Sequence, residues 1–388
     1  MIDQRFYLSQ GVSVLEHEEE FYIETFKHEY KINRTIATFI GLLDKPKTAQ
    51  ELVSGLQALI EGASTAVVEP LVAKFLKDLH RLEVVRKEGE AEITPLPPAY
   101  EAGAHLGQYL ITDLLMQHNK VQLYRATDEE SGQAVVLKMF SHKPESIRRN
   151  TRLDDAFEEF RQEFDIMRSL PAHPSICALH AYHTQPYHYA VLEYLPGESL
   201  SEAVRSGSIQ EADKTLLATQ ILAALAHLHT HGIVHGDIHA RNFMVNKDRA
   251  TMIDFGFSYR VGVSDREQCI CGGGVPTYMP PERIRYHNYK FSKQAADFRA
   301  EVYQIALVIF KLYHTGLPFT GETWLERAAS IASYDFSQHF SASVPHEQVL
   351  LRALEKDPAA RYASGQELLS TWQHALAVES AAAMAEAT

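Results

Sequence analysis

The sequence predicts an α+β protein in two parts, with strands and helices segregated along the chain. Three observations lead there. At 388 residues the chain is too long for one ordinary core. Its composition changes near residue 88, where EGEAEITPLPPAYEAGAH is rich in Pro, Ala and Glu and has no steady period. Beyond residue 106 several short strands come first, and after residue 200 the pattern is mostly helical.

The overall balance narrows the function classes. Hydrophobic residues at 45% and charged residues at 22% describe a soluble globular protein. A formal charge of −13 argues against broad affinity for nucleic acid or an anionic membrane. Three cysteines, Cys177, Cys269 and Cys271, fit a reducing compartment better than a disulfide framework. The start, MIDQRFYLSQGVSV, lacks the basic and apolar regions of a signal peptide. The longest apolar run, VYQIALVIF at 302–310, is too short to span a bilayer. The expectation is a cytoplasmic enzyme or regulator.

Residues 1–88 read as one module. VSVLEHEEEFYIETF suggests a strand pair with a polar turn at Glu18 to Glu20. Three helices follow. Asn33 can cap the first, with Ile36, Phe39, Ile40 and Leu43. TAQE at 48–51 has capping-box spacing and opens the second. Val68, Leu71, Val72, Phe75, Leu76 and Leu79 form the apolar stripe of the third, and EVVRK at 83–87 closes as a strand. Residues 89–105 read as a linker.

The second domain, 106–376, opens with strands at 109–114, 121–127 and 134–140, then a helix at 154–170. The first two strands form a hairpin, LLMQHNKVQLYRA, with His118, Asn119 and Lys120 at its tip and no glycine. Lys138 stands in the middle of the apolar strand VVLKMF. The densest signal is GIVHGDIHARNFMV at 232–245, which sets His235, Asp237 and Asn242 in a loop between apolar runs. Asp254 follows another apolar run and precedes Phe255 and Gly256. Asn242 and Asp254 offer the hard oxygen ligands that Mg²⁺ prefers, which frees Asp237 to accept a proton from a hydroxyl. HLHTHGIVHGDIH holds five histidines that could be read as a metal box, and CICGGG could be read as a redox switch. Both have plainer readings, as loop scaffold and as segment residues. The tail, 377–388, is small and polar and is expected to fray.

In this order the set resembles the protein kinase family, in its eukaryotic-like Ser/Thr branch. The resemblance implies a bilobal fold, with a small β-rich N-lobe and a large helical C-lobe, using ATP and Mg²⁺. Lys138 matches the strand lysine on the α and β phosphates, and Glu163 in FRQEFDIMRSL matches its helix partner. VLEYLPGESL resembles the hinge, so the backbone from Glu193 to Leu195 would meet adenine. Asp237 matches the base, and Asn242 and Asp254 match the metal ligands. GVPTYMPPE resembles the end of the activation segment, with Glu282 paired to Arg361. A protein or peptide hydroxyl is the implied acceptor.

The departures are specific. Met116, His118 and Val121 occupy the glycine positions of the phosphate loop, leaving His118 and Asn119 to donate from the tip. Gly236 replaces the arginine that receives an activation-loop phosphate. His239 replaces a lysine and is shared with small-molecule phosphotransferases, and Glu301 replaces an aspartate. A pseudokinase scaffold and a kinase of a small-molecule hydroxyl are therefore the alternatives. The first module, through YKINRTIATFIGLLDKPKTAQELVSGL, resembles the winged-helix domain of PqqD-like proteins, which recognise leader peptides. It would then recruit the substrate, although a helical cap is the plainer reading. With 11 Lys and Arg against 15 Asp and Glu in residues 1–90, DNA is disfavoured.

Overall fold

The computed structural model describes residues 4–9, 12–17, 20–24, 29–32, 34–59, 64–82, 84–90, 99–117, 120–147, 151–262, 275–284, 297–321, 324–341 and 343–386. The chain divides into two compact units, residues 1–101 with 114–123, and residues 102–113 with 124–388. His118, Asn119, Cys269 and Cys271, together with Glu18 and Glu19 of the expected turn, the Asn33 cap and residues 91–98 of the linker, lie outside the described residues.

In the first unit, strands β1 (Arg5–Leu8), β2 (Ser13–His17), β3 (Glu20–Glu24) and β4 (Glu29–Ile32) precede helix α1 (Arg34–Gly41). β5 (Lys47–Thr48), α2 (Ala49–Leu59), α3 (Thr65–Arg81) and β6 (Val85–Lys87) follow. The expected strand pair is a three-stranded sheet, β2-β3-β4, because EYKI adds a further antiparallel partner to β3. β1 lies between β5 and β6, which are far from it in sequence. The capping box at the start of α2 is formed. The Thr48 amide donates to the Glu51 carboxylate at 2.7 Å, and the Glu51 amide donates to Thr48 Oγ1 at 3.2 Å. The stripe of α3 packs through Val68, Val72, Phe75 and Leu79 against Phe39, Leu52 and Leu56, as its helical spacing requires.

The remaining strands begin with β7 (His105–Leu106), β8 (Tyr109–Gln117), β9 (Val121–Asp128) and β10 (Ala134–Phe140). After α4 (Pro144–Ile147) and α5 (Thr151–Ser169) come β11 (Leu179–His183) and β12 (Tyr189–Glu193). These strands make one sheet in the order β11-β12-β10-β9-β8-β7. β10 lies between β12 and β9, its alternating burial turns one face to the core, and its register sets Lys138 opposite Ala190.

Beyond the sheet come β13 (Glu198–Ser199), α6 (Leu200–Ser206), α7 (Lys214–Thr230), β14 (Ile233–Val234), β15 (Phe243–Asn246), β16 (Arg249–Met252) and β17 (Tyr259–Arg260). Among the described residues four further helices follow: α8 (Phe298–His314), α9 (Trp324–Ser333), α10 (Pro345–Ala353) and α11 (Gly365–Glu386). VYQIALVIF forms the middle of α8 and is buried on every side, the position that an all-round apolar helix must take. Among the described residues no helix is long and apolar enough to cross a membrane. The tail expected to fray continues α11 to Glu386, because ESAAAMAE is alanine-rich and extends an existing helix without a new nucleus.

Candidate active site

Two short strand pairs build the site. β14 pairs with β17, Val234 facing Tyr259, so the loop after β14 and the loop before β17 emerge side by side. β15 and β16 form a hairpin whose second strand leads into Asp254. The amide of Met252 donates to Ser175, and that of Cys177 donates to Met252, which fastens this strand to the segment after α5.

Lys138 Nζ lies 2.8 and 2.9 Å from the two oxygens of Glu163 and 3.3 Å from Asp254 Oδ1. The lysine and Glu163 side chains are 13% and 5% exposed, whereas Asp254 is 48% exposed. Burial works against the Lys138 charge, but the carboxylates of Asp254 and Glu163 outweigh it and raise the pKa. Burial pushes Glu163 up despite Lys138, and Lys138 holds Asp254 below the ordinary carboxylate range. Asp254 has φ of 61°, a left-handed conformation that aspartate tolerates better than most residues. Its own Oδ1 accepts from the Gly256 amide at 3.3 Å.

Around Asp237 the hydrogen bonds leave one oxygen free. His239 Nδ1 accepts from the Arg241 amide at 3.2 Å, so its Nε2 carries the hydrogen and faces Asp237 Oδ2 at 3.3 Å. Asn242 Nδ2 donates to the Asp237 carbonyl at 2.9 Å, which leaves its amide oxygen as the atom suited to a cation. Asp237 Oδ1 is buried and has no hydrogen-bond partner among the described residues. His235 is fully buried, accepts from the Asp237 amide and faces the Ile253 carbonyl, so it braces the loop.

The loop hangs on Glu301. Its Oε1 accepts from the Gly236 amide at 2.7 Å, and its Oε2 from the His235 amide at 3.1 Å and His229 Nε2 at 2.9 Å. His229 Nδ1 accepts from the Gly365 amide at 2.8 Å, which sets its tautomer. Gly236 has φ of 83°, and a Cβ there would lie 2.4 Å from the Phe257 carbonyl oxygen. Glu282 pairs with the buried Arg361 through two contacts of 2.8 Å. At the end of β12 the Glu193 amide donates to Ala178, and its carbonyl, 3.9 Å from the Cys177 thiol, keeps a lone pair to offer a ligand. Its side chain turns to Arg249 at 2.8 Å, and Leu195 is half-buried two residues on.

The structure thus brings together Lys138, Glu163 and Asp254 in one group, and Asp237, His239 and Asn242 in another. The histidine-rich run does not gather: no group of three metal-ligating side chains is present among the described residues. Sequence reasoning missed the tie between His229 and Glu301, because 72 residues separate them. Their hydrophobic surroundings offer no periodic signal for such a pair.

Residues 119–373 match the protein kinase domain, about two thirds of the chain. The chain belongs to the protein kinase domain family. This kinase domain is 26% identical over 72% of the chain to CBL-interacting protein kinase 26 of Oryza sativa. It is 28% identical over 68% of the chain to a probable serine/threonine-protein kinase of Streptomyces coelicolor. It is 26% identical over 58% of the chain to the probable serine/threonine-protein kinase PknB of Lactococcus lactis. The match spans only 53%, 39% and 36% of those relatives' lengths. The oxygen donors of Asn242 and Asp254 suit the Mg²⁺ that kinase domains generally use, and Lys138 suits a phosphate.

Proposed function

We propose that the chain moves the γ-phosphate of ATP to a Ser or Thr hydroxyl of a protein or peptide. The placement of Asp237 carries the reading: its carboxylate stands in the loop that also holds Asn242, with His239 on one oxygen, the setting of a group that takes a proton from a hydroxyl. Asp237 accepts the proton of that hydroxyl, and His239 fixes the carboxylate through its other oxygen. Lys138 orients the α and β phosphates, and Glu163 fixes Lys138. The carbonyl of Glu193 and the backbone of Leu195 hold adenine. Asn242 and Asp254 hold Mg²⁺, which when bound neutralises phosphate charge. The Glu282–Arg361 pair supports a peptide acceptor over a small molecule, since it braces the segment that would carry the peptide. His239 favours the small-molecule reading, but its Nε2 is directed to Asp237.

Incubation with labelled ATP and Mg²⁺ tests the assignment. Asp237→Ala is expected to lower transfer by roughly 10²–10⁴-fold, the share typical of a positioned base. Equal transfer by both proteins would exclude Asp237 as the base. We also propose that residues 1–88, a winged-helix-like module, recruit the peptide. Removing them is expected to raise the KM for the true acceptor and leave ATP turnover intact; an unchanged KM would show that recruitment lies elsewhere.

A further inference from the structure

Arg260 is absent from the set that the motifs point to, yet its side chain joins two helices that frame the site. Its Nη1 donates to the His231 carbonyl at 2.8 Å, and its Nη2 donates to Ser169 Oγ at 2.9 Å. His231 caps the C-terminus of α7, and Ser169 is the last residue of α5. One guanidinium therefore sits at two helix C-termini, where carbonyls lack helical partners and both dipoles favour a cation. Ser169 is itself fixed, because its hydroxyl donates to the Ile166 carbonyl at 2.7 Å.

The contacts run both ways from there. Glu163 lies on α5, six residues before Ser169, and pairs with Lys138. Arg260 lies six residues after Asp254 and pairs across β14 and β17 with Ile233. Between them, Ser258 Oγ donates to the His235 carbonyl at 3.0 Å, on the loop that holds Asp237. Gly236 meanwhile supplies no cation, and the Phe257 carbonyl fills the space where its side chain would begin.

We propose that Arg260 is a positioning residue that holds α5, and with it Glu163, against the catalytic loop, so that turnover needs no phosphate on the chain. A cation that is present from synthesis does here what a phosphate received by a loop arginine would do. Arginine suits the task, because its planar fork reaches two acceptors on different helices at once. The inference rests on the phosphotransferase reading for its kinetic arm alone.

Hydrogen exchange and kinetics of the full chain test it. In Arg260→Ala the amides in the last turns of α5 are expected to exchange at least about ten-fold faster, while the core of α8 keeps its protection. The kcat is expected to fall roughly ten- to hundred-fold through misplacement of Glu163. Ser169→Ala, which keeps the arginine, should give the same local pattern in weaker form. Arg260→Lys should recover part of kcat, since its ammonium meets one acceptor. Wild-type protein treated with a phosphatase should keep its kcat within about two-fold. Uniform loss of protection in Arg260→Ala together with none in Ser169→Ala would overturn the proposal, as would loss of turnover after phosphatase treatment. A wild-type chain with no phosphoryl transfer would instead count against the phosphotransferase reading, and the exchange arm would still report on the latch.

Discussion

Lys138→Met destabilises the chain by about 3–5 kcal/mol at pH 8, the usual cost of stranding a buried charge, and by much less at pH 5. The reason lies in what the lysine leaves behind. Glu163 is 5% exposed and its two oxygens both face Nζ, so the variant strands a buried carboxylate. Burial already raises its pKa with the lysine present, and the shift grows once that attraction is gone. A carboxylate whose folded pKa is raised favours the folded state below its unfolded value, near 4.5, and loses that advantage as pH rises through the folded value. The penalty therefore develops between about pH 5 and the raised pKa, and is full above it. Asp254 adds little to this sum, since water screens its half-exposed side chain. Adding Glu163→Gln to the variant removes the stranded charge and should flatten the pH dependence. Urea midpoints at pH 5 and pH 8 decide the matter, and an equal loss at both would show that the pair is not what the lysine stabilises.

Gly236→Arg, the substitution that restores the family's usual residue, inactivates the protein instead of adding a phosphate switch. At φ of 83° a side chain costs about 1–2 kcal/mol in backbone strain alone. The larger cost is steric. The new Cβ would meet the Phe257 carbonyl oxygen at 2.4 Å and its carbon at 3.1 Å, both of them backbone atoms that cannot swing away. Relief requires the loop to shift, which pulls the amides of His235 and Gly236 from Glu301 and moves Asp237 with them. A displacement of about 1 Å is worth roughly 10²-fold in rate. Gly236→Ala should show most of the same loss, because both variants carry the Cβ. An alanine variant with wild-type kcat would mean that the loop has room that the glycine does not reveal.

How much of this was legible from the chain alone depends on the range of each interaction. Lys138, Asp237, Asn242 and Asp254 could be named because phosphate, proton and metal chemistry admits few residue types, and Glu163 because the order of the whole set resembles that of protein kinases. The capping box at Thr48 and Glu51 and the stripe of α3 could be named because helical contacts repeat within four residues. The strand count in the first module was legible only in part. EYKI gives no turn signal of its own, and β1 finds its partners some forty and eighty residues away.

By itself, then, the sequence determined the chemistry-bearing groups and the elements whose periods are local. Tertiary structure alone decided which of those groups meet. It placed Glu301 under two amides and His229, set Gly236 where only a glycine fits, and closed Arg260 over the ends of α5 and α7. Each of these joins residues far apart in the chain, through two or three polar contacts or a single backbone angle. Such contacts leave no repeating trace in a sequence, because their partners are chosen by packing and not by spacing.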